Sequence, residues 1–436
     1  MQPPKSNLLP LIILGVFFFI FGFVTWLNST LILYLKIACE LTTKQALLVA
    51  TAFYISYFIM AIPMSWILKK TGYKNGMMLG LIIMALGCLL FVPAAQTRMY
   101  PLFLSGLFII GTGLTILQTA SNPYITILGP INSAARRISI MGIANKVAGA
   151  VAPLILGAII LNDADTLSRK LELMDFDAKN LQLNELASRV ILPYSIMAGV
   201  LGLLAIFVRF SPLPEIEQEE SKEDASEKAG GRRSIFAYPH LLLGAFALFL
   251  YVGVEVITGD TIGTYATSLG IKLSVAKTFP SYTLSAMVLG YILGIFLIPR
   301  YLSQTAALTI SAVTGILFSG VVLISHGYVS ILFVALLGLA NALVWPAIWP
   351  LALEGLGRFT KTGSAILIMA ILGGALLPQV YSMLADGKFF NLEMMRGIGY
   401  HYAYWILLPC YCFILFYSMR GYAAGRGSKA ANRQQA

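Results

Sequence analysis

Residues 101–128 of this chain, "PLFLSGLFIIGTGLTILQTASNPYITIL", decide its fold. The stretch has no charged residue and is longer than the roughly 20 residues that a helix needs to cross a bilayer. It nevertheless carries a polar cluster from Gln118 to Asn122, followed directly by Pro123. Polar side chains at membrane depth usually face a bundle interior or a water-filled cavity. The stretch therefore predicts a membrane helix that lines a site for a polar ligand.

The rest of the chain has the same character. Its 436 residues are 58% hydrophobic and 11% charged, with a mean hydropathy of +0.81, whereas soluble domains have roughly 25% charged residues. We therefore expect an all-α membrane protein. Twelve apolar stretches are long enough to be transmembrane helices, and they cover residues 8–35, 46–68, 76–95, 101–128, 138–161, 187–208, 240–267, 281–299, 304–325, 329–353, 363–385 and 399–419.

The loops predict how these helices are oriented. The first span follows "MQPPKSN" and has no small-residue cleavage site after it, so it reads as a retained helix. An even number of spans places both termini on one side, and the short basic loops at 69–74 and 135–137 place that side in the cytoplasm. We expect a bacterial inner-membrane protein. Topology also explains the net charge of +11, so no nucleic-acid partner is expected.

A hydrophilic segment at 211–234 separates the spans into six and six. We predict a first six-helix bundle over residues 1–209, a cytoplasmic linker over 210–238, a second bundle over 239–420 and a basic cytoplasmic tail over 421–436. "TILQTASNPYITILG" aligns with "GLANALVWPAIWPLA" when shifted, with Gln118 on Asn341 and Pro123 on Pro346. This similarity favours two pseudo-symmetric bundles, an architecture of transporters that rock around a midplane site.

Several polar or aromatic residues inside spans are candidates for substrate binding. Gln118 and Asn122 lie four residues apart and so share a helix face, where their carboxamides offer paired donors and acceptors to sugar hydroxyls. Asn341, Trp345 and Trp349 repeat that spacing in the tenth span, and two rings beside an amide suit the apolar face and rim of a sugar. Simple helix packing, or a place in the interfacial aromatic belt, is the alternative for each. Two further candidates are Asn28 in the first span and Asn145 in the fifth.

Charged residues inside spans are few. Lys146 is a basic residue well inside the fifth span, so it should meet an acid, a cavity or backbone carbonyls. Glu255 and Asp260 lie in the seventh span and are the candidates for coupling to a cation, since a buried carboxylate can titrate or bind one. They can face one site only if the helix bends, which Gly259 permits. Glu255 bonded only to a neighbouring helix is the alternative.

No enzyme chemistry is indicated. A membrane enzyme would need a nucleophile with a base, or a metal cluster, and the sequence shows no such constellation. The cysteines lack metal-ligand spacing and read as packing residues. We therefore expect no catalytic residue, no metal and no cofactor.

Four segments resemble the fucose/glucose-galactose:cation symporter family of the major facilitator superfamily. They are "AFYISYFIMAIP" (52–63), "LKKTGYKNGMMLGL" (68–81), "LFLSGLFIIGTGLTILQTASNPYITILGP" (102–130) and "LYVGVEV" (250–256). The resemblance extends over nearly the whole chain and is closer to the glucose/galactose branch. It implies two six-helix domains, alternating access, and import of a hexose together with a proton or sodium ion. A monomer in the lipid bilayer is the expected unit.

The resemblance also implies a departure. The L-fucose:proton symporter branch carries an acid in the first span and another in the fourth, where this chain has Ser29 and Gln118. Asn145 matches a sugar-contacting asparagine of that branch. Coupling would then rest on Glu255 and Asp260. An uncoupled hexose facilitator, a symporter for mannose, fucose or N-acetylglucosamine, and a drug exporter of the same superfamily remain alternatives.

Overall fold

A computed structural model gives the architecture. It describes residues 8–127, 134–163, 167, 170, 171, 173–211, 234–298, 301–356, 359–385 and 399–425. Within these ranges twelve helices are long and apolar enough to cross a membrane. The prediction of twelve spans in an all-helical chain is therefore confirmed, and the protein is a multi-pass membrane protein. The numbers span 1 to span 12 are used below in chain order.

The first six spans occupy the N-terminal half. Spans 2 and 3 belong to one long helix that bends at Gly72, where φ is +76° and glycine is the residue that tolerates it. A surface helix, Phe176–Ser188, precedes span 6. The helices are Leu8–Ala38 for span 1, Leu48–Leu89 with Phe91–Thr97 for spans 2 and 3, Tyr100–Ile127 for span 4, Ala134–Ile160 for span 5 and Ile191–Phe210 for span 6.

The last six spans occupy the C-terminal half, and several of them are interrupted. Span 7 breaks after Asp260, span 10 breaks after Asn341, and span 11 passes through a 3-10 turn at Ala370–Leu372. The helices are Pro239–Asp260 with Ile262–Ser268, Phe279–Leu297, Gln304–Ile324, Gly327–Asn341 with Val344–Leu353, Thr360–Met369 with Gly373–Ala385, and Leu407–Met419.

The two halves pack in equivalent ways. Span 1 lies on span 5 as span 11 lies on span 7, span 2 lies on span 4 as span 8 lies on span 10, and span 3 lies on span 6 as span 9 lies on span 12. A glycine allows the close approach in both members of the first pair. A Cβ on Gly22 would overlap the carbonyl of Asn145, and a Cβ on Gly373 would overlap the carbonyl of Phe249. The structure is therefore a pair of pseudo-symmetric six-helix bundles.

The bundles meet along three pairs of spans, namely 1 with 7, 2 with 11 and 5 with 8. These pairs bring residues far apart in sequence to one interface. The chain that joins the bundles lies mostly outside the described ranges, because residues 212–233 are not described, and the same holds for the tail beyond residue 425. The exact linker and tail bounds stay predictions.

Candidate functional site

An ion pair joins the two bundles near the middle of their interface. The Lys146 ammonium of span 5 lies 2.5 Å from the Glu255 carboxylate of span 7, and both side chains are 11% exposed. The sequence left an acid, a cavity or backbone carbonyls as partners for Lys146, and in the structure the partner is an acid on the other bundle. Removing one member would leave an uncompensated charge in a low-dielectric site, so the pair ties span 5 to span 7 in this conformation.

The Trp26 ring of span 1 packs against this ion pair. The Lys146 ammonium lies 5.0 Å from the centre of a Trp26 ring, in cation–π range. Two glycines admit the ring: a Cβ on Gly149 would come within 2.4 Å of it, and a Cβ on Gly259 within 2.3 Å. The Trp26 ring therefore packs between span 5 of one bundle and span 7 of the other. Trp26 was not among the sequence candidates, although Gly149 and Gly259 could have indicated that a large side chain packs against their helices.

We expect Gly259→Ala to weaken the interface, because the added methyl group must displace the Trp26 ring. Overpacking of this kind typically costs about 1–3 kcal/mol, which should appear as a lower midpoint of thermal unfolding in detergent. Gly199→Ala in span 6 is the matched control, because nothing lies within 4 Å of a Cβ there. Equal midpoints for the two variants would show that the Trp26 ring does not pack tightly against Gly259.

Asp260 is the second carboxylate of span 7, and it is more isolated than Glu255. It is 1% exposed, and neither of its oxygens has a hydrogen-bond partner among the described residues. It lies where the helix ends, one residue before Thr261, so span 7 has a break beside Gly259, the residue that permits a bend. Glu255 precedes Asp260 by five residues on the same helix. An isolated ionised carboxylate in such surroundings is unfavourable without a proton or cation.

Span 10 differs from its expected geometry. Asn341, Trp345 and Trp349 do not share one continuous helix face, because the helix ends at Asn341 and the next begins at Val344. Pro346 explains the break, since it has no N–H to donate to the carbonyl of Ala342. Asn341 is fully buried inside its own bundle.

The amide of Asn341 is bonded within that bundle. It donates to Thr258 at 3.3 Å and accepts from the Tyr411 hydroxyl at 2.8 Å. These contacts hold span 10 against spans 7 and 12. In this conformation the Asn341 amide is therefore held by groups of its own bundle.

The two tryptophans of span 10 are connected to the ion pair. Trp345 and Trp349 stack with ring centres 5.3 Å apart, and Tyr251 lies 6.4 Å from Trp345. Tyr251 precedes Glu255 by one helical turn, so the two side chains share a face of span 7. An aromatic surface thus leads from span 10 to the charged centre. Tyr251 was not among the sequence candidates.

Amide side chains of the first bundle lie on the other side of the interface. Gln118 is half-buried and donates to the Tyr57 hydroxyl at 3.0 Å. Tyr57 stacks on Tyr54, with ring centres 6.4 Å apart, and Tyr54 is the ring near Asp260. The helix continues through Asn122 and Pro123 to Ile127, but the side chain of Asn122 lies outside the described part.

Asn145 and Asn28 complete the sequence candidates. Asn145 is half-buried, and its amide donates to the carbonyl of Phe18 in span 1 at 3.2 Å. Asn28 is 1% exposed, and its amide has neither a donor nor an acceptor partner in the described ranges. Buried amides are usually satisfied, so Asn28 is available to a small polar ligand or a water molecule.

A lysine closes the interface at one end of the molecule. We call this end the far face, because span 1 begins at the opposite face and ends here at Ala38. Lys277, just before span 8, donates to the carbonyl of Gly157 at 3.1 Å and to that of Leu161 at 2.5 Å. Both acceptors lie at the C-terminal end of span 5, where the Gly157 carbonyl also accepts from the backbone N–H of Leu161 at 3.1 Å. The ammonium therefore holds the two bundles together at the far face.

Side-chain hydrogen bonds reinforce the far face at spans 2 and 11. Gln379 donates to the Thr51 hydroxyl at 2.9 Å, and that hydroxyl donates to the carbonyl of Ala375 at 3.0 Å. Lys36 also donates to the Tyr400 hydroxyl at 3.4 Å. All of these contacts cross from one bundle to the other, so the described conformation is closed at the far face.

Two pseudo-symmetric bundles around a polar interface define a class of membrane transporter. The chain belongs to the major facilitator superfamily, whose family model matches residues 12–378. It is 35% identical over 411 residues to a glucose/galactose transporter of Brucella abortus, covering 94% of this chain and 93% of that one. It is 30% identical over 388 residues to the L-fucose-proton symporter of Escherichia coli, covering 88% of each.

The fold comparison agrees with these relatives. The crystal structure of FucP, a major facilitator superfamily transporter, in the outward conformation matches this chain with a TM-score of 0.71 at 27% identity, over 95% of this chain and 99% of that one. The resemblance inferred from the sequence is therefore confirmed. The named relatives are transporters, in agreement with the prediction that the chain is not an enzyme.

Proposed function

We propose that the chain imports a hexose of the glucose/galactose type by alternating access, coupled to a proton or a sodium ion. It would act in the bacterial inner membrane with both termini in the cytoplasm, as the basic loops predict. The printed names of the relatives support a sugar substrate. A monomer suffices, because the two bundles of one chain form the whole interface.

The observation that carries this proposal is the ion pair between Lys146 and Glu255, with stacked tryptophans on one side and a carboxamide on the other. Charge-assisted hydrogen bonds to hydroxyl groups are stronger than neutral ones. The rings of Trp345 and Trp349 offer an apolar surface to the C–H face of a pyranose. Gln118 offers both donors and an acceptor from the first bundle. Together these groups match the mixed polar and apolar surface of a hexose.

The remaining candidates fit this arrangement in different ways. Asn28, with its unpartnered amide, and Asn145 would add hydrogen bonds from the first bundle, and Asn122 would do so from the helix face of Gln118. Asn341 would support the second bundle through its bonds to Thr258 and Tyr411. The substrate would thus bind between the bundles and would hold them together until the cavity opens on the other side.

The two carboxylates of span 7 would have different roles in coupling. Glu255 already has Lys146 as its counter-ion, whereas Asp260 is buried without a partner in the described chain. Asp260 is therefore the group that would take up the coupling proton or sodium ion. Glu255 would connect that event to the sugar, because it lies five residues before Asp260 on the same helix and contacts Lys146 at the interface.

An uncoupled hexose facilitator is the second candidate. It is favoured by Ser29 and Gln118, which stand where the fucose branch has acids. Proteoliposome uptake of radiolabelled glucose, galactose, mannose, fucose and N-acetylglucosamine separates the two. Each sugar is tested with an imposed sodium gradient, an imposed proton gradient, or neither. Accumulation above equilibrium under one gradient supports the symporter and identifies the cation, whereas equilibration alone supports the facilitator. Protein-free liposomes give the background.

Gln118→Ala tests the first-bundle side of the sugar site. We expect about a tenfold rise in the sugar concentration for half-maximal uptake, because the loss of one or two hydrogen bonds is worth about 1–1.5 kcal/mol. Gln182→Ala is the control, since that side chain bonds only to Glu185 on the surface helix in the described chain. Unchanged concentration dependence in Gln118→Ala would remove this residue from the site.

A further inference from the structure

A buried histidine near the far face belongs to a chain of four hydrogen bonds. His401 is 6% exposed, and Tyr265 and Ser330 beside it are fully buried. In His401, Nε2 lies 2.9 Å from the carbonyl oxygen of Leu323, and Nδ1 lies 2.8 Å from the Tyr265 hydroxyl. That hydroxyl lies 2.8 Å from the Ser330 hydroxyl, which lies 3.1 Å from the carbonyl oxygen of Val322. The chain thus begins and ends on carbonyl groups.

These hydrogen bonds connect the far ends of four spans, all of the second bundle. Tyr265 lies in the short helix Ile262–Ser268 after the break in span 7, and Ser330 lies in the first turn of span 10. The two carbonyls belong to the last turn of span 9, and His401 lies at the start of span 12. No backbone N–H of the described residues donates to either carbonyl, as is usual where a helix ends. Both carbonyls therefore depend on side-chain donors.

The four contacts need one more hydrogen atom than the neutral groups supply. Each contact requires one hydrogen, and the carbonyls have none to donate. Neutral His401 has one ring N–H, and Tyr265 and Ser330 have one O–H each, so only three contacts can form and a buried group stays unpaired, which is unfavourable. The imidazolium form of His401 donates from both nitrogens. Tyr265 then donates to Ser330, Ser330 donates to Val322, and all four contacts form.

The groups around His401 leave this hydrogen count unchanged. The titratable side chains on the elements that pack near it are Tyr265, His326, Tyr381, Tyr402 and Lys36. Tyrosines are neutral at physiological pH, and Lys36 contacts Tyr400 rather than the imidazole. The ring centre of His326 lies 5.1 Å from that of His401, so a charge on His326 would oppose a second proton on His401. Both rings must therefore be followed when the protein is titrated.

We infer that His401 is a proton-binding site within the second bundle, and that the bound proton holds the far part of span 7 against spans 9, 10 and 12. Histidine is the side chain whose charge normally changes between about pH 5 and pH 8. The short helix Ile262–Ser268 also packs against span 1, because a Cβ on Gly263 would come within 2.8 Å of Leu33. Holding this helix in place therefore supports the closed far face. The site lies outside the bundle interface and is independent of the proposed sugar transport.

Ser330→Ala tests the hydrogen count without changing the histidine. The two contacts that remain are satisfied by neutral His401, and a second proton would leave the Tyr265 hydroxyl without an acceptor. We expect the proton affinity of His401 to fall about tenfold, which corresponds to the loss of one buried hydrogen bond. Ser319→Ala is the matched control, because the Ser319 hydroxyl is buried and has no hydrogen-bond partner among the described residues. Tyr265→Phe removes the acceptor for the second proton, so it should lower the affinity as well.

Nitrogen-15 NMR of the purified, histidine-labelled protein measures these affinities without sugar. The chain has three histidines, and the signals of His401 are those lost in His401→Gln. A titration from about pH 8 to about pH 5 gives the proton affinity of each ring, and the spectrum of the neutral form shows which nitrogen keeps its hydrogen. We expect that hydrogen on Nε2, which faces the carbonyl of Leu323. A hydrogen on Nδ1 instead, or equal affinities of His401 in the unmodified and Ser330→Ala proteins, would overturn the inference.

Thermal unfolding in detergent tests whether the proton holds the far part of span 7. A proton that the folded chain binds more tightly than the unfolded chain stabilises the fold as the pH falls. On acidification from about pH 8 to about pH 6, the unmodified and Ser319→Ala proteins should therefore gain more in unfolding midpoint than Ser330→Ala. Equal gains in all three proteins would show that the proton does not hold this helix. An absence of sugar uptake would contradict only the proposed function.

Discussion

Lys146→Met should weaken the closed form of the protein by about 3–5 kcal/mol, because it leaves Glu255 charged and unpaired at the bundle interface. The substitution also removes the cation from the face of Trp26. We expect a lower midpoint of thermal unfolding in detergent and a large loss of sugar uptake. Differential scanning fluorimetry and initial uptake rates measure the two effects.

The double variant Lys146→Met with Glu255→Gln is the control for this effect. Replacing both members of a buried ion pair is often nearly neutral, whereas removing one is strongly destabilising. Most of the lost stability should therefore return in the double variant. If Lys146→Met alone unfolds at the same temperature as the unmodified protein, the ion pair does not hold the interface.

Lys277→Met should shift the protein toward a form that is open at the far face. The ammonium contacts two carbonyls across the interface, and hydrogen bonds that involve a charged group contribute about 1.5–3 kcal/mol. The open fraction should then rise about 10- to 100-fold. To measure the change, Ala375→Cys is introduced into a cysteine-free protein, which places a thiol where spans 2 and 11 meet. The rate at which a membrane-impermeant maleimide labels this thiol reports the opening of the far face.

The matched control is Lys272→Met, which removes an exposed lysine from the same short loop. It should leave the labelling rate unchanged. Equal labelling of the Lys277→Met and Lys272→Met proteins would show that the lysine contact does not close the far face. If labelling rises only when reagent is added on the cytoplasmic side, the predicted orientation of the molecule is wrong.

The fold was largely predictable because its signal is local. Apolar length identifies each span, and the polar segment after span 6 identifies the two halves without knowledge of any contact. The sequence also allowed for the break in span 7. Gly259 permits a bend there, and Asp260 can face the same site as Glu255 only if the helix bends. A helical wheel assumes a continuous helix, and this assumption failed in span 10. There Pro346 interrupts the bonding of the preceding turn, and one helix ends at Asn341 before the next begins at Val344.

The site was less predictable because its contacts join distant segments. Lys146 was expected to need a partner, but its pairing with Glu255 depends on how span 5 packs against span 7. Trp26 was overlooked because its importance comes from two glycines on other spans. Tyr251 was overlooked because a tyrosine in an apolar run resembles ordinary packing. Such residues acquire a role only when three helices are assembled.

The partnerless carboxylate of Asp260 has a bioenergetic consequence. If each imported sugar brings one positive charge, the membrane potential does work on every cycle, about 2.3 kcal/mol at about 100 mV. That work alone can sustain about a 50-fold concentration of sugar inside the cell. The buried carboxylate of Asp260 would thus make the rate and the extent of sugar uptake depend on the membrane potential.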